Sequence, residues 1–175
     1  MPIMHTPGRG EGALRRKRIS LPDTSYFVTI GTAERRPGLT ADSVSSTLRT
    51  ELHAIETDGH ARVQGTTIMP DHAHLLLRTT GSLPLSRIIA RLKSKTRGPL
   101  AKEGLTWQRN FFEHRIRPDE SVEAVLRYIV MNPVRAKLIS SPEDYAHTWL
   151  GTEEAEWFDW RSPPESKPPT WISST

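Results

Sequence analysis

The sequence predicts an α+β protein in which one antiparallel sheet is covered by helices, mainly on one face. Segments rich in β-branched and aromatic residues alternate with segments whose apolar residues recur at helical spacing. Two of the strands are joined tightly through Met-Pro-Asp at residues 69–71, which favours an antiparallel hairpin. The chain has 175 residues and no internal repeat, so one domain is expected. Hairpins interleaved with helices are typical of a sheet packed against a helical layer.

The first half of the domain supplies a strand, a helix and the hairpin. Residues 26–32 (YFVTIGT) predict the first strand. A helix is predicted from Asp42, which can cap its start, to a stop near Gly59. Its apolar positions recur at helical spacing: Val44, Leu48, Leu52 and Ile55. Residues 60–69 and 72–79 predict the two strands of the hairpin.

The second half adds two helices and one segment of open assignment. A second helix begins at about Leu83 and a third spans about residues 119–131, each with an apolar stripe. Between them, TWQRNFFEHRIR at residues 106–117 is compatible with either a strand or irregular structure. The domain is therefore predicted at residues 23–149. It lies between a flexible basic arm at residues 1–22 and a tail at 150–175 that contains Pro and aromatic residues.

Composition limits the chemistry that the chain can support. It has no cysteine, so any metal must be held by His, carboxylate, amide or water. The net charge of +4 suits an anionic partner such as nucleic acid. No apolar run approaches the roughly 18 to 20 residues that span a bilayer, and the N-terminus lacks the apolar region of a secretory signal. A cytoplasmic protein with no membrane partner is expected.

Two histidines in the hairpin form the first candidate site. Residues i and i+2 of a strand point to the same face, so His72 and His74 present two imidazoles side by side while Ala73 and Leu75 face the opposite layer. This pair suits a divalent metal, although an arbitrary His-x-His more often lies on a solvated face. A histidine-triad hydrolase would need a third histidine near position 76, which is Leu76.

The third helix carries the second candidate site. Tyr128 and Asn132 are four residues apart, so a phenol and an amide share one helical face. Each has an alternative structural role. Tyr128 can be a core aromatic, and Asn132, followed by Pro133, can cap a short helix that runs through Leu138.

Three motifs together resemble one family of DNA-processing enzymes. MPDHAHLLL, WQRNFFEHRIR and YIVMNPVRAKLI, in this order and at this separation, resemble the single-tyrosine HUH transposases of the IS200-like superfamily. The resemblance is strongest to the bacterial REP-associated tyrosine transposase branch and covers about residues 25–149. It implies a ferredoxin-like HUH nuclease fold.

The resemblance also implies a role for each motif residue. His72, His74 and Asn132 would hold a divalent metal, and Mg²⁺ or Mn²⁺ is the expected cofactor. Tyr128 would attack a DNA phosphate, which leaves a 5′-phosphotyrosine on the protein and a free 3′-hydroxyl on the other fragment. Glu113, His114 and Arg117 would support the site. His114 has the alternative role of placing the scissile phosphate.

The implied partner is single-stranded DNA with palindromic, hairpin-forming repeats. Basic residues of the arm and the second helix are candidate phosphate contacts, and a solvated charged face is an equal alternative for each: Arg15, Arg16, Lys17, Arg18, Arg91, Lys93, Lys95 and Arg97. Arg35 and Arg36 either contact DNA or solvate a turn. The tail aromatics either dock on the domain, cover the DNA groove or stay disordered.

Three functions remain open from the sequence. The first is a metal-dependent transposase that nicks and rejoins single-stranded DNA. The second is a hairpin-binding protein with no catalytic activity, and the third is a metal-dependent phosphoester hydrolase that uses activated water. A monomer is expected because the REP-associated branch assembles its site within one chain, and a dimer stays open because other relatives exchange helices.

Overall fold

The structure is a computed structural model that describes residues 20–174. Five strands form one sheet: β1 (Thr24–Gly31), β2 (Ala61–Ile68), β3 (His72–Thr79), β4 (Phe112–Arg115) and β5 (Thr148–Leu150). The helices are α1 (Asp42–Thr57), α2 (Leu85–Lys102), α3 (Val122–Arg135) and α4 (Thr152–Trp157). Short 3₁₀ turns lie at Ala33–Arg35, Pro142–Asp144 and Thr170–Ser174.

The sheet has the strand order β4-β1-β3-β2-β5, and every neighbouring pair is antiparallel. The hairpin of β2 and β3 closes through a hydrogen bond from the Met69 amide to the His72 carbonyl at 2.7 Å. The predicted α+β class, an antiparallel sheet covered by helices, is confirmed. Residues 106–117, which the sequence left as either strand or irregular structure, contain the short strand β4. This strand pairs with β1 at one edge of the sheet.

Two helices, α1 and α2, cover one face of the sheet. Alternate residues of β1 and β3, such as Val28 and Leu75, are fully buried beneath them in an apolar core. The two helices are also linked by charge, because Arg91 of α2 pairs with Glu51 of α1 and with Asp58, the residue that follows α1. The N-cap of α1 is Ala41, so Asp42 does not cap this helix as predicted and is its first residue instead.

The third helix, α3, packs on the other face. Its buried residues meet Phe27 of β1 and Leu76 of β3 in a second apolar core. The helix approaches β2 closely at Gly65, where a Cβ atom would lie 2.6 Å from Leu126 Cδ2. Only glycine fits beneath α3 at this position without a shift. Helices therefore lie on both faces, with the two longer ones on the same side.

Pro133 lies inside α3 and does not begin a new helix. The alternative in which Asn132 caps a short helix through Leu138 is wrong, since α3 continues to Arg135. Pro133 has no amide hydrogen, so the Ile129 carbonyl loses its helical partner. Thr67 Oγ1 of β2 donates to that carbonyl at 2.9 Å. A side chain of the sheet thus replaces the missing hydrogen bond and attaches α3 to β2.

The segment that was predicted as a tail packs partly against the domain. It begins at Leu150, the last residue of the edge strand β5, and continues into α4. Phe158 and Ile172 are buried in the core beneath α3, and Trp160 and Trp171 pack beside them. Among the three alternatives for the tail aromatics, the structure shows docking for Phe158, Trp160 and Trp171, whereas Trp157 is exposed. The sequence has no periodic pattern that predicts this docking, because a polar, Pro-rich stretch separates residues 157–160 from Trp171.

Within residues 20–174, no helix combines the length and the apolar character that a membrane span requires.

Candidate active site

Antiparallel register places both histidines beneath α3. His74 pairs with Thr29 of β1 and Thr67 of β2, and His72 pairs with Gly31, so these side chains share one face. Ala73 and Leu75 point into the α1 and α2 layer, as predicted. The two Nε2 atoms of His72 and His74 lie 3.1 Å apart, and their ring centroids lie 4.6 Å apart.

Each histidine has a partner at its other ring nitrogen. His72 Nδ1 lies 2.7 Å from Asp71 Oδ1, and His74 Nδ1 lies 2.9 Å from Thr29 Oγ1. A carboxylate only accepts, so neutral His72 donates from Nδ1 and carries its lone pair on Nε2. If His74 donates to Thr29 in the same way, the two Nε2 lone pairs face each other and need a proton or a cation between them.

Burial favours the neutral form of both imidazoles. Desolvation lowers the pKa of His72, although Asp71 opposes this effect. For His74, which is 1% exposed, burial holds the pKa well below its usual range, and the neighbouring His72 lowers it further. Neutral imidazole is the form that binds metals, so no bound proton has to be displaced first.

Tyr128 lies beside His74 of this pair. Its ring centroid is 5.3 Å from that of His74 and 5.9 Å from that of Phe27, which is fully buried. The ring is half-buried, and the guanidinium carbon of Arg135 lies 4.7 Å from its centroid on α3. Tyr128 therefore packs against the core and at the same time lies beside His74, so its packing does not preclude the predicted chemical role.

The donor set of the site fits a divalent ion. Two ligands in neighbouring positions of an octahedral ion with bonds of about 2.1 Å lie about 3.0 Å apart, close to the observed Nε2 separation of 3.1 Å. Asn132 is half-buried one turn after Tyr128 on the same face of α3. Among residues 20–174, no group of three or more His, Cys, Asp or Glu side chains forms a metal site. An amide or water ligand is therefore needed beside the two histidines.

The predicted DNA contacts on α2 differ in what they do. Arg91 bridges two carboxylates, one in α1 and one directly after it, and Lys93 donates to the backbone carbonyls of Gln108 and Asn110 at 2.8 and 3.0 Å. These two side chains link α2 to neighbouring segments of the fold. Lys95 and Arg97 are exposed on α2 and remain candidates. The arm residues Arg15, Arg16, Lys17 and Arg18 lie outside the described residues.

Of the three predicted supporting residues, His114 lies on the same face as the histidine pair, in the edge strand β4. His114 Nε2 lies 2.9 Å from both carboxylate oxygens of Glu120, and the Arg117 amide donates to Glu120 at 2.7 Å. Trp171 stacks on His114 with ring centroids 3.8 Å apart. This arrangement favours support over phosphate placement for His114. Glu113 pairs with Val28 and so lies on the α1 and α2 face of β4.

Several residues that contact the candidate site were not predicted from the sequence. Asp71 and Thr29 contact the two histidines, and Glu120 and Trp171 enclose His114. Asp71 was within reach of sequence reasoning, because a carboxylate next to a metal-binding histidine is a common partner. Thr29 and Trp171 could not be predicted from the sequence, since their contacts depend on strand register and on how the tail packs.

The motifs and the geometry agree with comparisons to known proteins. The family model described as "Transposase IS200 like" matches residues 20–132, which include both histidines, Tyr128 and Asn132. A curated protein of Haemophilus influenzae strain Rd, named "Putative REP-associated tyrosine transposase", is 32% identical over 118 residues. That match covers 57% of this chain and 66% of the relative, so the chain spans just under two thirds of the relative's length.

A solved structure shares the fold. It shows a REP-associated tyrosine transposase bound to a REP hairpin, with a TM-score of 0.64 and 21% sequence identity. The match covers 75% of this chain and 79% of that one. The likeness supports the arrangement of sheet and helices described above.

Proposed function

The chain belongs to the IS200-like transposase family, and on this premise we propose that it cuts and rejoins single-stranded DNA at palindromic, REP-like hairpins. Tyr128 is the nucleophile. His72, His74 and Asn132 hold a divalent ion, Mg²⁺ or Mn²⁺. The observation that carries the proposal is the position of the Tyr128 ring 5.3 Å from His74, whose Nε2 meets that of His72.

The reaction is a transesterification. The phenolic oxygen of Tyr128 forms a bond to phosphorus and loses its proton, while the bond from phosphorus to the 3′ oxygen breaks and that oxygen gains a proton. When bound, the ion polarises the phosphate and stabilises the charge that develops on it. Because the 5′-phosphotyrosine retains a phosphodiester bond, attack by a 3′-hydroxyl reverses the step and joins strands without ATP.

Local charge supports the role of Tyr128. A phenol is a poor nucleophile at neutral pH because it keeps its proton, so it needs nearby positive charge as it attacks. The guanidinium carbon of Arg135 lies 4.7 Å from the ring centroid, so one positive charge is held against the ring. His74 is packed against the same ring and holds it beside the histidine pair.

The substrate is proposed from charge and from the relative. A single tyrosine cuts one strand, and unpaired DNA beside a hairpin gives the easiest access to a phosphate. The related transposase of similar fold is bound to a REP hairpin. The exposed Lys95 and Arg97 and the net charge of +4 suit contacts with phosphates. We place the activity in the cytoplasm, where such DNA is found. One chain supplies every site residue named here, which supports a monomer.

The test is capture of DNA on the protein. Purified protein is incubated with labelled single-stranded palindromes from its own genome, with and without Mn²⁺ or Mg²⁺, and resolved on a denaturing gel. A metal-dependent covalent adduct is expected for the wild type and is lost in Tyr128→Phe and His74→Ala. Tyr145→Phe is the matched control and keeps the adduct, because Tyr145 donates to the Ile68 carbonyl and lies away from the histidine pair in sequence and contacts.

Two outcomes would contradict the proposal. Cleavage that survives Tyr128→Phe without an adduct would indicate a phosphoester hydrolase that uses metal-bound water. Tight, salt-sensitive binding without cleavage, on a set of substrates that includes the true repeat, would indicate a hairpin-binding protein with no catalytic activity.

A further inference from the structure

A tight turn after β1 brings Arg35 to the histidine pair. Arg35 Nε lies 2.8 Å from Asp71 Oδ2, and the other oxygen of that carboxylate, Oδ1, lies 2.7 Å from His72 Nδ1. Asp71 therefore holds a guanidinium and an imidazole at the same time. The Arg35 side chain is 48% exposed, so its free end reaches solvent beside the site.

The turn has a backbone conformation that non-glycine residues rarely adopt. Glu34 and Arg35 have φ angles of 57° and 55°, and such strain persists only where the surroundings enforce it. Thr32 provides that constraint. Its hydroxyl donates to the Arg36 carbonyl at 2.6 Å, and its amide donates to the Asp71 carbonyl at 2.9 Å. The backbone of the turn is thus attached to the residue that Arg35 contacts.

Gly31 shows on which side of the sheet Arg35 lies. In the register of β1 and β3, Gly31 pairs with His72, so a Cβ at Gly31 would point to the site face beside that imidazole. The atoms nearest to such a Cβ are Gln108 Oε1 at 3.1 Å and, at 3.5 Å, Arg35 Nη1. The missing side chain therefore leaves room for a guanidinium and an amide next to His72.

We propose that Arg35 is a phosphate-binding residue of this site, and that Asp71 is the positioning residue that aligns it with His72. Within residues 20–174 the ion pair of Arg35 is made through Nε, which leaves its Nη groups to donate to a phosphate oxygen. The same carboxylate keeps the His72 lone pair on Nε2, towards His74. The inference rests on the proposed function, because it assigns the DNA contact of that same site.

The first experiment separates metal binding from DNA binding. Mn²⁺ affinity is measured by calorimetry on the protein without DNA, for wild type, Arg35→Gln, Asp71→Asn and Arg36→Gln. Arg36 is the matched control, since it is the next residue and donates instead to the Gly104 carbonyl at 3.0 Å. Arg35→Gln and Arg36→Gln are expected to bind Mn²⁺ within about threefold of wild type. Asp71→Asn is expected to lose about 10- to 100-fold, as is typical when the partner of a ligating histidine is removed.

The second experiment measures DNA binding without chemistry. In the Tyr128→Phe background, the affinity for a labelled single-stranded oligonucleotide is measured in saturating Mn²⁺ by fluorescence anisotropy. Adding Arg35→Gln should weaken binding about 10-fold or more, which matches the loss of a charge-assisted hydrogen bond. Adding Arg36→Gln should change it by less than about threefold. In the Tyr128-containing protein, Arg35→Gln should slow adduct formation at saturating DNA by about 10- to 100-fold.

The outcomes that overturn the inference differ from those that overturn the proposed function. DNA binding that is equal with and without the Arg35→Gln substitution would exclude a phosphate contact. Loss of Mn²⁺ affinity in Arg35→Gln to the same extent as in Asp71→Asn would show that Arg35 acts only through Asp71. If the wild type forms no adduct with any substrate, the proposed transposase chemistry fails, while the anisotropy and calorimetry still decide whether Arg35 and Asp71 act as proposed.

Discussion

The two faces of the sheet use the same strands for different purposes. Towards α1 and α2, β1 and β3 present apolar residues such as Val28 and Leu75. Towards α3, the same strands present Thr29, His72 and His74. A period of two thus assigns one set of residues to the core beneath α1 and α2. The intervening set is shared between the second apolar core, which contains Phe27 and Leu76, and the candidate site. A substitution on the α1 and α2 face should therefore affect mainly stability, whereas one on the α3 face can affect the site as well.

Polar groups on the two faces are satisfied to different degrees. On the α3 face, Thr67 Oγ1 donates to the Ile129 carbonyl, and Thr29 bonds to His74. On the α1 face, Thr66 is fully buried, and among the described residues its Oγ1 has no hydrogen-bond partner. The two threonines beside the candidate site are thus paired, whereas Thr66, on the opposite face of β2, is not paired within the described part of the chain. Such pairing allows a polar cluster to stay buried without a large cost in stability.

The largest expected effect tests the folding face. Leu75→Ala removes a fully buried side chain from the core beneath α1 and α2 and should lower the free energy of unfolding by about 2–5 kcal/mol. The measurement is chemical denaturation. The folded fraction should bind Mn²⁺ with wild-type affinity, and a changed affinity would show that the two faces are coupled.

His74→Ala, one position earlier in the strand, should affect metal binding. It removes one of the two converging imidazoles and should weaken Mn²⁺ binding by more than the roughly 10- to 100-fold typical of outer-sphere partners. Calorimetry on the protein without DNA measures this. Wild-type Mn²⁺ affinity in this variant would mean that the histidine pair is not the metal site.

The next effect compares two neighbouring threonines that face opposite sides of the sheet, Thr67 and Thr66. Replacing each by valine should change the free energy of unfolding differently. Thr67→Val leaves the Ile129 carbonyl without its donor and should cost about 1–3 kcal/mol of unfolding free energy. Thr66→Val keeps the shape and removes a buried hydroxyl that lacks a partner, so it should be neutral or stabilising. Thermal and urea denaturation of both variants measure the difference. Equal destabilisation would contradict the assigned role of the Thr67 hydroxyl.

The smallest effect concerns a charge in the helical layer. Burial lowers the pKa of Lys93 on α2 to about 8, from 10.5 for the exposed group. Between these values the unfolded chain binds a proton that the folded chain does not, so this residue makes stability rise as the pH increases from about 8 to about 10.5. Lys93→Met lacks this contribution. The stability of wild type relative to Lys93→Met should therefore increase across that range, and other titrating groups cancel in the comparison. A stability difference between wild type and Lys93→Met that stays constant across this pH range would contradict the lowered pKa of Lys93.

Much of the fold was predictable because it depends on local periodicity. The strand predicted at residues 72–79 is β3 residue for residue, since a short apolar stretch follows directly after the Met-Pro-Asp turn. Thr29 and Asp71 needed more than periodicity. Their contacts with the histidines follow from the register between β1 and β3 and from the position of a side chain at a turn.

Two local signals in the sequence are modified by residues that are distant along the chain. Asn132 and Pro133 carry a strong local signal for a new helix, but the Thr67 hydroxyl in β2 compensates for the missing amide and the helix continues. Arg91 and Lys93 were predicted to contact DNA, and the structure adds intramolecular partners to both: Glu51 and Asp58 for Arg91, and carbonyls of the following loop for Lys93. In both cases the partner is distant in sequence, so a local pattern carries no information about it.

The proline in α3 has a mechanical consequence for the nucleophile. Thr67 is aligned across the strands with His74, and the carbonyl that it binds belongs to Ile129, the neighbour of Tyr128. Sliding the helix by one residue would move it about 1.5 Å along its axis and turn it by about 100°. Such a displacement would separate the hydroxyl from the one carbonyl that Pro133 leaves available. The proline therefore sets the axial position of the helix, and with it the distance between the phenol and the imidazoles.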